Sequence, residues 1–269
     1  MTVTATRPAQ GRSLAHFTDV TRSEMCKLRS VRSTYWALLA AVTFNIVTAA
    51  LLGIFLPRAL SAHQRTVIDS TRVSLGGMHL SQVAIGLLGV LVITSEYATG
   101  MIRATLAAVP QRRLVLAAKT LVLAVVAVTT AAAASFAAYL IFQAFLPAGD
   151  AMATSLADPG VLRAVTGAGL YLGVLGLLGL GLGAIIRSSA GAVAALFGAL
   201  FVPSILISLL PQSWQNTAGP YLPMNAGETV YTVNHQAHTL QPWTGLGVFC
   251  LYAAAALATG FVLINHRDA

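Results

Sequence analysis

Six apolar runs divide the chain, at about 35–56, 75–95, 114–141, 162–186, 190–210 and 244–264. A helix rises ~1.5 Å per residue, so about 20 residues cross a ~30 Å hydrocarbon core. Each run is long enough to do so. The fourth and fifth are separated only by Arg187, Ser188 and Ser189, which predicts a tight helical hairpin turn. Segment 14–33 has a different pattern. Leu14, Phe17, Val20, Met25, Leu28 and Val31 recur among charged residues at near-helical spacing. Asp19 with Arg22 and Glu24 with Lys27 are opposite charges at i,i+3. An amphipathic helix lying on the membrane surface is expected there.

The connections between runs carry further signals. In 96–113 the apolar residues are interrupted by Glu96, Gly100, Arg103 and Pro110. Met101, Thr105, Leu106 and Ala108 fit a short surface helix that Pro110 ends, because its ring forbids continued helical hydrogen bonding. Gln111, Arg112 and Arg113 then mark the interface. Connection 211–243 is rich in Pro, Gly, Asn and Thr and holds Trp214, Tyr221, Tyr231 and Trp243, which read as interfacial anchors. A short helix within 222–233 dips into the outer leaflet. In the fourth run, Gly169/Gly173 and Gly179/Gly183 are small-xxx-small pairs that permit close helix approach, within the chain more readily than across a dimer seam. The expected fold class is an all-α integral membrane protein. Residues 1–34 form a tail and interfacial helix, and 35–269 form a domain of six transmembrane helices.

Composition agrees with that reading. Hydrophobic residues make up 57% of the chain and charged residues 9%, with mean hydropathy +0.77. A soluble domain carries about 25% charged residues to cover its surface. The net charge is +8, and placement of the basic residues decides what it means. Twelve of them, among them Arg7, Arg12, Arg22, Arg187 and Arg267, fall on one side of an alternating six-span topology, and Arg58, Arg65, Arg72 and Arg163 fall on the other. The positive-inside rule then puts both termini inside, and no nucleic acid is needed to explain the charge. The first run starts too late and is too long for a cleavable signal peptide. Cys26 and Cys250 sit at different expected depths, so no disulfide is predicted.

Candidate chemistry is informative mainly by exclusion. A phosphate-binding loop needs Gly-x-x-x-x-Gly-Lys-Ser/Thr, and neither of the two lysines, Lys27 and Lys119, sits in one. There is no His-Glu zinc-peptidase spacing and no Gly-x-Ser-x-Gly elbow. His235 and His238, near Glu228, read as solvent-exposed loop residues rather than metal ligands. Asn45, Thr48, Gln82 and Gln143 are the polar span residues that fit a substrate path, but no acid and no central base accompanies them. Lys119 is expected to snorkel to the interface. No bound cofactor and no activity of the chain's own are expected, so uphill transport would need energy from elsewhere.

Three stretches carry a resemblance. They are Ser23–Trp36, the connection Ser95–Arg103 with Ala107–Arg113, and Pro220–Gly227 with Pro242–Gly245. In that order the chain resembles permease subunits of ABC transporters of the type-2 (type V fold) exporter class, actinobacterial branch. It departs from the common pattern at Met25-Cys26 and Asn265-His266. The resemblance implies a bacterial cytoplasmic-membrane exporter of a hydrophobic or amphiphilic drug, lipid or peptide. It further implies a pair of separate ATPase subunits that bind ATP and Mg, and a second permease chain, most simply a homodimer. Glu24, Lys27, Arg29 and Arg32 would lie on a connecting helix. Glu96, Gly100, Arg103, Pro110, Arg112 and Arg113 would couple to the ATPase. Glu96 would pair with a basic residue of the connecting helix, Arg29 or Arg32. A non-transporting membrane anchor or sensor for an ATPase, in an immunity or signalling system, is the other reading of the same features.

Overall fold

The computed structural model describes residues 9–109, 111–234 and 237–266, with the side chains of 9–16 and 265 excepted. Arg7, Pro110, His235 and Arg267, and the side chains of Arg12, Leu14 and Asn265, therefore lie outside the described residues. The described chain is helical, with no strand. Its helices are α1 (Ala9–Ser30), α2 (Arg32–Ala59), α3 (Ala62–Val67), α4 (Ser70–Ser74), α5 (Met78–Ala98) and α6 (Met101–Ala108). There follow α7 (Arg112–Phe145), α8 (Val161–Ile186), α9 (Ser189–Ser208), α10 (Gln212–Thr217), α11 (Pro223–Glu228) and α12 (Pro242–His266). Short 3-10 turns flank α11 at Gly219–Tyr221 and Thr229–Tyr231. Six helices, α2, α5, α7, α8, α9 and α12, are long and apolar enough to cross a membrane. This is a multi-pass membrane protein, and each expected run falls within one of the six to a few residues.

Helix α8 is the axis of the bundle, packing on α5, α7 and α12. Its glycines make this possible. A Cβ at Gly173 would meet Val128 of α7, and one at Gly179 would lie 2.8 Å from the carbonyl oxygen of Gly86 on α5. Both small-residue pairs thus serve contacts within the chain. In the apolar window of α8, 67% of residues are buried, against 17% for α9 and 22% for α2. Those two peripheral helices, with α12, turn large apolar side chains outward, as lipid-facing helices do.

Local chemistry sets the ends. A single extended residue, Val31, separates α1 from α2 and turns the surface helix into the first span. Gly100 takes a left-handed conformation (φ 72°) that reverses the chain between α5 and α6, where a Cβ would be strained. Arg187 (φ 60°) ends α8, and the Ser188 hydroxyl accepts the Gly191 N–H to start α9. This is the expected hairpin turn. The short helix expected within 222–233 is present as α11 and its following turn, with Ala226, Val230 and Tyr231 buried against α8 and α12. Trp214, Tyr221 and Trp243 are exposed at this end, and Tyr35 and Trp36 at the other. Tyr231 departs from the expected anchor role. It is buried, its ring 5.6 Å from that of Tyr171, which also stacks on Phe249. Cys26 and Cys250 are both free thiols.

Candidate functional site

The periodicity of α1 explains its placement. Val20, Glu24 and Leu28 follow one another at i,i+4 and form the buried stripe, packed mainly on α7. One member of that stripe is a carboxylate. Glu24 therefore enters an apolar interface and must be paired there, since an isolated buried charge is prohibitively costly.

The cluster that neutralises it draws in three other elements, α5, α6 and α7. The Lys119 ammonium, on α7, donates to Glu24 Oε2 at 2.6 Å and to Glu96 Oε1 at 2.9 Å. The Lys27 ammonium, one turn along α1, donates to Glu24 Oε1 at 2.7 Å, to Glu96 Oε1 at 3.2 Å and to the Thr105 hydroxyl of α6 at 3.1 Å. Glu96 lies in the last turn of α5. Both lysines of the chain thus meet two of its glutamates, and the quartet is formally neutral. Glu24, Glu96 and Lys119 are buried, whereas Lys27 is partly open. Burial alone would pull the Lys27 pKa down. The hydrogen bond and charge of Glu24, joined by those of Glu96, outweigh that and hold it above the ordinary lysine value.

Two expectations are corrected. Glu96 meets Lys27 and Lys119, not Arg29 or Arg32; Arg29 is exposed on the other face of α1, and Arg32, which begins α2 rather than ending the connecting helix, is exposed as well. Lys119 does not snorkel. It lies about two turns inside α7, and two carboxylates are within reach, so pairing replaces hydration. The sequence signal for both was the position of Glu24 inside an apolar i,i+4 stripe, together with a lysine inside a span. The Glu24–Lys27 pair itself forms at 2.7 Å as its spacing predicts.

The remaining connection residues surround this quartet. Helix α6 buries only Ile102 and leaves Met101, Arg103, Ala104, Ala107 and Ala108 exposed. Arg113 is exposed, and the Arg112 guanidinium donates to the Ile264 carbonyl at the end of α12 at 3.1 Å. The hydroxyls of Ser189 and Thr94 bond at 2.9 Å, and the Arg187 guanidinium lies 5.0 Å over the Tyr97 ring. The start of α7, the α8–α9 hairpin and the end of α12 therefore share the α1 end of the bundle.

The four polar residues proposed for a substrate path each sit in local contacts, Asn45 and Thr48 along the α2–α5 contact, Gln82 on α5 facing α8 and Gln143 at the end of α7. Asn45 is buried where α2 meets α5, its amide donating to Met78 Sδ at 3.6 Å, and Thr48 lies one turn along α2. Gln82 accepts the Tyr171 hydroxyl at 2.7 Å. Gln143 holds Thr154, donating to its hydroxyl at 2.8 Å and accepting its N–H at 3.1 Å, which fixes the 146–160 loop.

Sequence reasoning passed over a second polar group at the far end. Glu228, ending α11, faces Arg72 of α4 at 3.6 Å and His79 in the first turn of α5 at 3.4 Å. Asp69 accepts the N–H groups of Val233 and Asn234 at 2.8 and 3.0 Å, and Arg163 donates to the carbonyls of Val230 and Thr232 at 2.9 and 3.0 Å. These bonds pin the chain after α11. They join residues more than 65 positions apart, which is why no local pattern announced them. Among the described residues, no group of three His, Cys, Asp or Glu side chains is placed to hold a metal ion. No family model matches the sequence, and no curated protein matches it.

Proposed function

We propose that this chain is the permease subunit of an ATP-driven ABC exporter, with both termini and the α1 end of the bundle in the cytoplasm of a bacterial cell. The observation that carries this reading is α6. It is a short helix between two spans that turns most of its surface outward and is tied to the charged cluster of the bundle. Ile102 and the Lys27–Thr105 bond hold it, and Lys27 in turn binds both glutamates. A helix so placed can be pushed by a partner and pass the displacement to α1, α5 and α7 together, because four elements share one set of short charged bonds. Rigid-body movement of this kind is how docked elements transmit conformational change.

The remaining features support the same role. Exposed Arg103 and Arg113 present positive charge beside α6, as a docking face for an acidic cleft would need. The wide apolar surfaces of α2 and α9 suit lipid and a second permease chain. The cargo is hydrophobic or amphiphilic, in keeping with a bundle whose interior polar groups are uncharged through its middle. ATP and Mg belong to the separate ATPase.

The test is coupling. The chain is copurified with a candidate ABC ATPase, sought first in an adjacent reading frame, reconstituted in lipid vesicles, and assayed for amphiphile-stimulated ATP hydrolysis and export. Thr105→Val removes the bond between α6 and Lys27 without disturbing a carboxylate. It should leave the complex intact and lower stimulated hydrolysis severalfold. Export-coupled hydrolysis unaffected by both Thr105→Val and Glu96→Ala would reject the coupling role. An assembled complex that hydrolyses ATP but moves no amphiphile would favour an anchoring or sensing subunit.

A further inference from the structure

Beside the quartet lies a cavity of about 60 Å³. Its wall on α5 is a single helical stripe, Leu88, Leu91, Val92 and Ser95, spaced i, i+3, i+4 and i+7. That stripe runs along about two turns of α5, roughly 10 Å, and ends beside Glu96. The exposed side chains of Val31 and Met101 stand at its rim, at the edge of the surface where α1 meets the span ends. The slot is therefore apolar along its length and charged at its inner end.

The charged end is incomplete in a specific way. Glu96 is 5% exposed, and its Oε2 has no hydrogen-bond partner among the described residues, although Oε1 accepts from both lysines. Lys119, also lining the slot, donates two hydrogen bonds of the three an ammonium can make. One acceptor and one donor are left over, and the two glutamates and two lysines already balance in charge. A cationic or anionic group would add net charge to a buried neutral cluster, which is costly. A hydroxyl donates once and accepts twice, and adds no charge. It can donate a hydrogen bond to Glu96 Oε2 and accept the third Lys119 N–H.

We propose that this slot binds the hydroxyl end of an uncharged amphiphile, a long-chain alcohol or acylglycerol drawn from the adjacent leaflet, with its apolar chain along the Leu88–Ser95 stripe. The site rests only on the membrane character of the protein and not on ATPase coupling, so the two readings fail separately.

The experiment uses the purified full chain in lipid nanodiscs, with a diazirine-bearing long-chain alcohol as photoprobe and peptide mapping of the label. Label is expected on the α5 stripe and near Val31. 1-Dodecanol should compete at about tenfold or more lower concentration than dodecyl methyl ether, which keeps the chain and loses the donor. Val31→Trp and Leu91→Trp, each blocking the slot from a different side, should remove that label while thermal unfolding confirms a folded protein. Equal competition by the ether would overturn the proposal, reducing the slot to a lipid groove. Stronger competition by dodecylammonium or dodecanoate would overturn it in favour of a charged ligand. Label confined to other surfaces would overturn it outright.

Discussion

The two ends of the bundle hold their polar groups in opposite styles. At the α1 end, two carboxylates and two ammonium groups from α1, α5 and α7 close through bonds of 2.6–3.2 Å and reach α6 through Thr105. At the far end, Glu228 faces Arg72 and His79 at 3.6 and 3.4 Å, and both of those side chains are substantially exposed. What secures the far end instead is Asp69 and Arg163 acting on backbone N–H and carbonyl groups, with Tyr231 and Phe249 packed on Tyr171. Charged bonds at ordinary hydrogen-bonding distance away from water are strong and hard to rearrange, whereas long contacts open to solvent are worth little. The difference assigns stiffness to the end that carries α6 and adjustability to the Glu228 contacts at the other, where the Arg65–Asp150 pair at 3.0 Å is the tight exception.

The largest expected effect comes from breaking the stiff end. Lys119→Met leaves two buried carboxylates with one partly exposed lysine. Removing one member of a buried charged group typically costs about 3–5 kcal/mol. The variant should unfold at markedly lower temperature in detergent. Adding Glu96→Gln, which removes the surplus negative charge, should restore more than half of the loss. An unfolding temperature for Lys119→Met close to that of the parent would remove the quartet as the structural centre of this end.

This contrast also explains what the sequence could disclose. Span positions, the surface helix, the short helix after Gly100 and the hairpin at Arg187 follow from hydropathy, period and turn chemistry, which are local. The Glu24–Lys27 pair was legible for the same reason. The partners of Glu96 were not, because Arg29, Arg32, Lys27 and Lys119 all satisfy charge alone. Only the packing of α1 on α7 decides, by turning the Val20–Glu24–Leu28 face inward and leaving the arginines out. The quartet could have been reached by asking what neutralises a lysine inside a span, since two carboxylates were near the same end. The far end offered no such question. Glu228 and His79 are separated by most of the chain, and Tyr231 looked like any aromatic residue in a polar connection.

A smaller effect is expected at the adjustable end. Arg72 has a side chain 42% exposed and meets Glu228 only at 3.6 Å. Arg72→Met should therefore lower stability by no more than about 1 kcal/mol, with the unfolding transition barely displaced. A loss as large as that of Lys119→Met would abolish the distinction between the two ends.

The smallest effect separates the two lysines of the quartet by pH. Lys27 is the more exposed of them, and its pKa is held above the ordinary lysine value by Glu24 and Glu96 against the opposing pull of burial. A group whose folded pKa is raised contributes stability in full below its unfolded value, about 10.4 for lysine, and loses it as pH rises through the folded value. The protein should thus be insensitive to pH near neutrality in this respect and weaken only in strongly alkaline solution. Lys27→Met removes the titrating group. Between about pH 9 and pH 11, its unfolding temperature should fall less than that of the parent, although it starts lower. Lys119 stays in both proteins, so the difference between the two slopes reports the removal of Lys27 from the shared carboxylates. Identical slopes would mean that Lys27 gains nothing from the two carboxylates. The link from α6 to the bundle through Thr105 would then lack the charge that makes this end stiff.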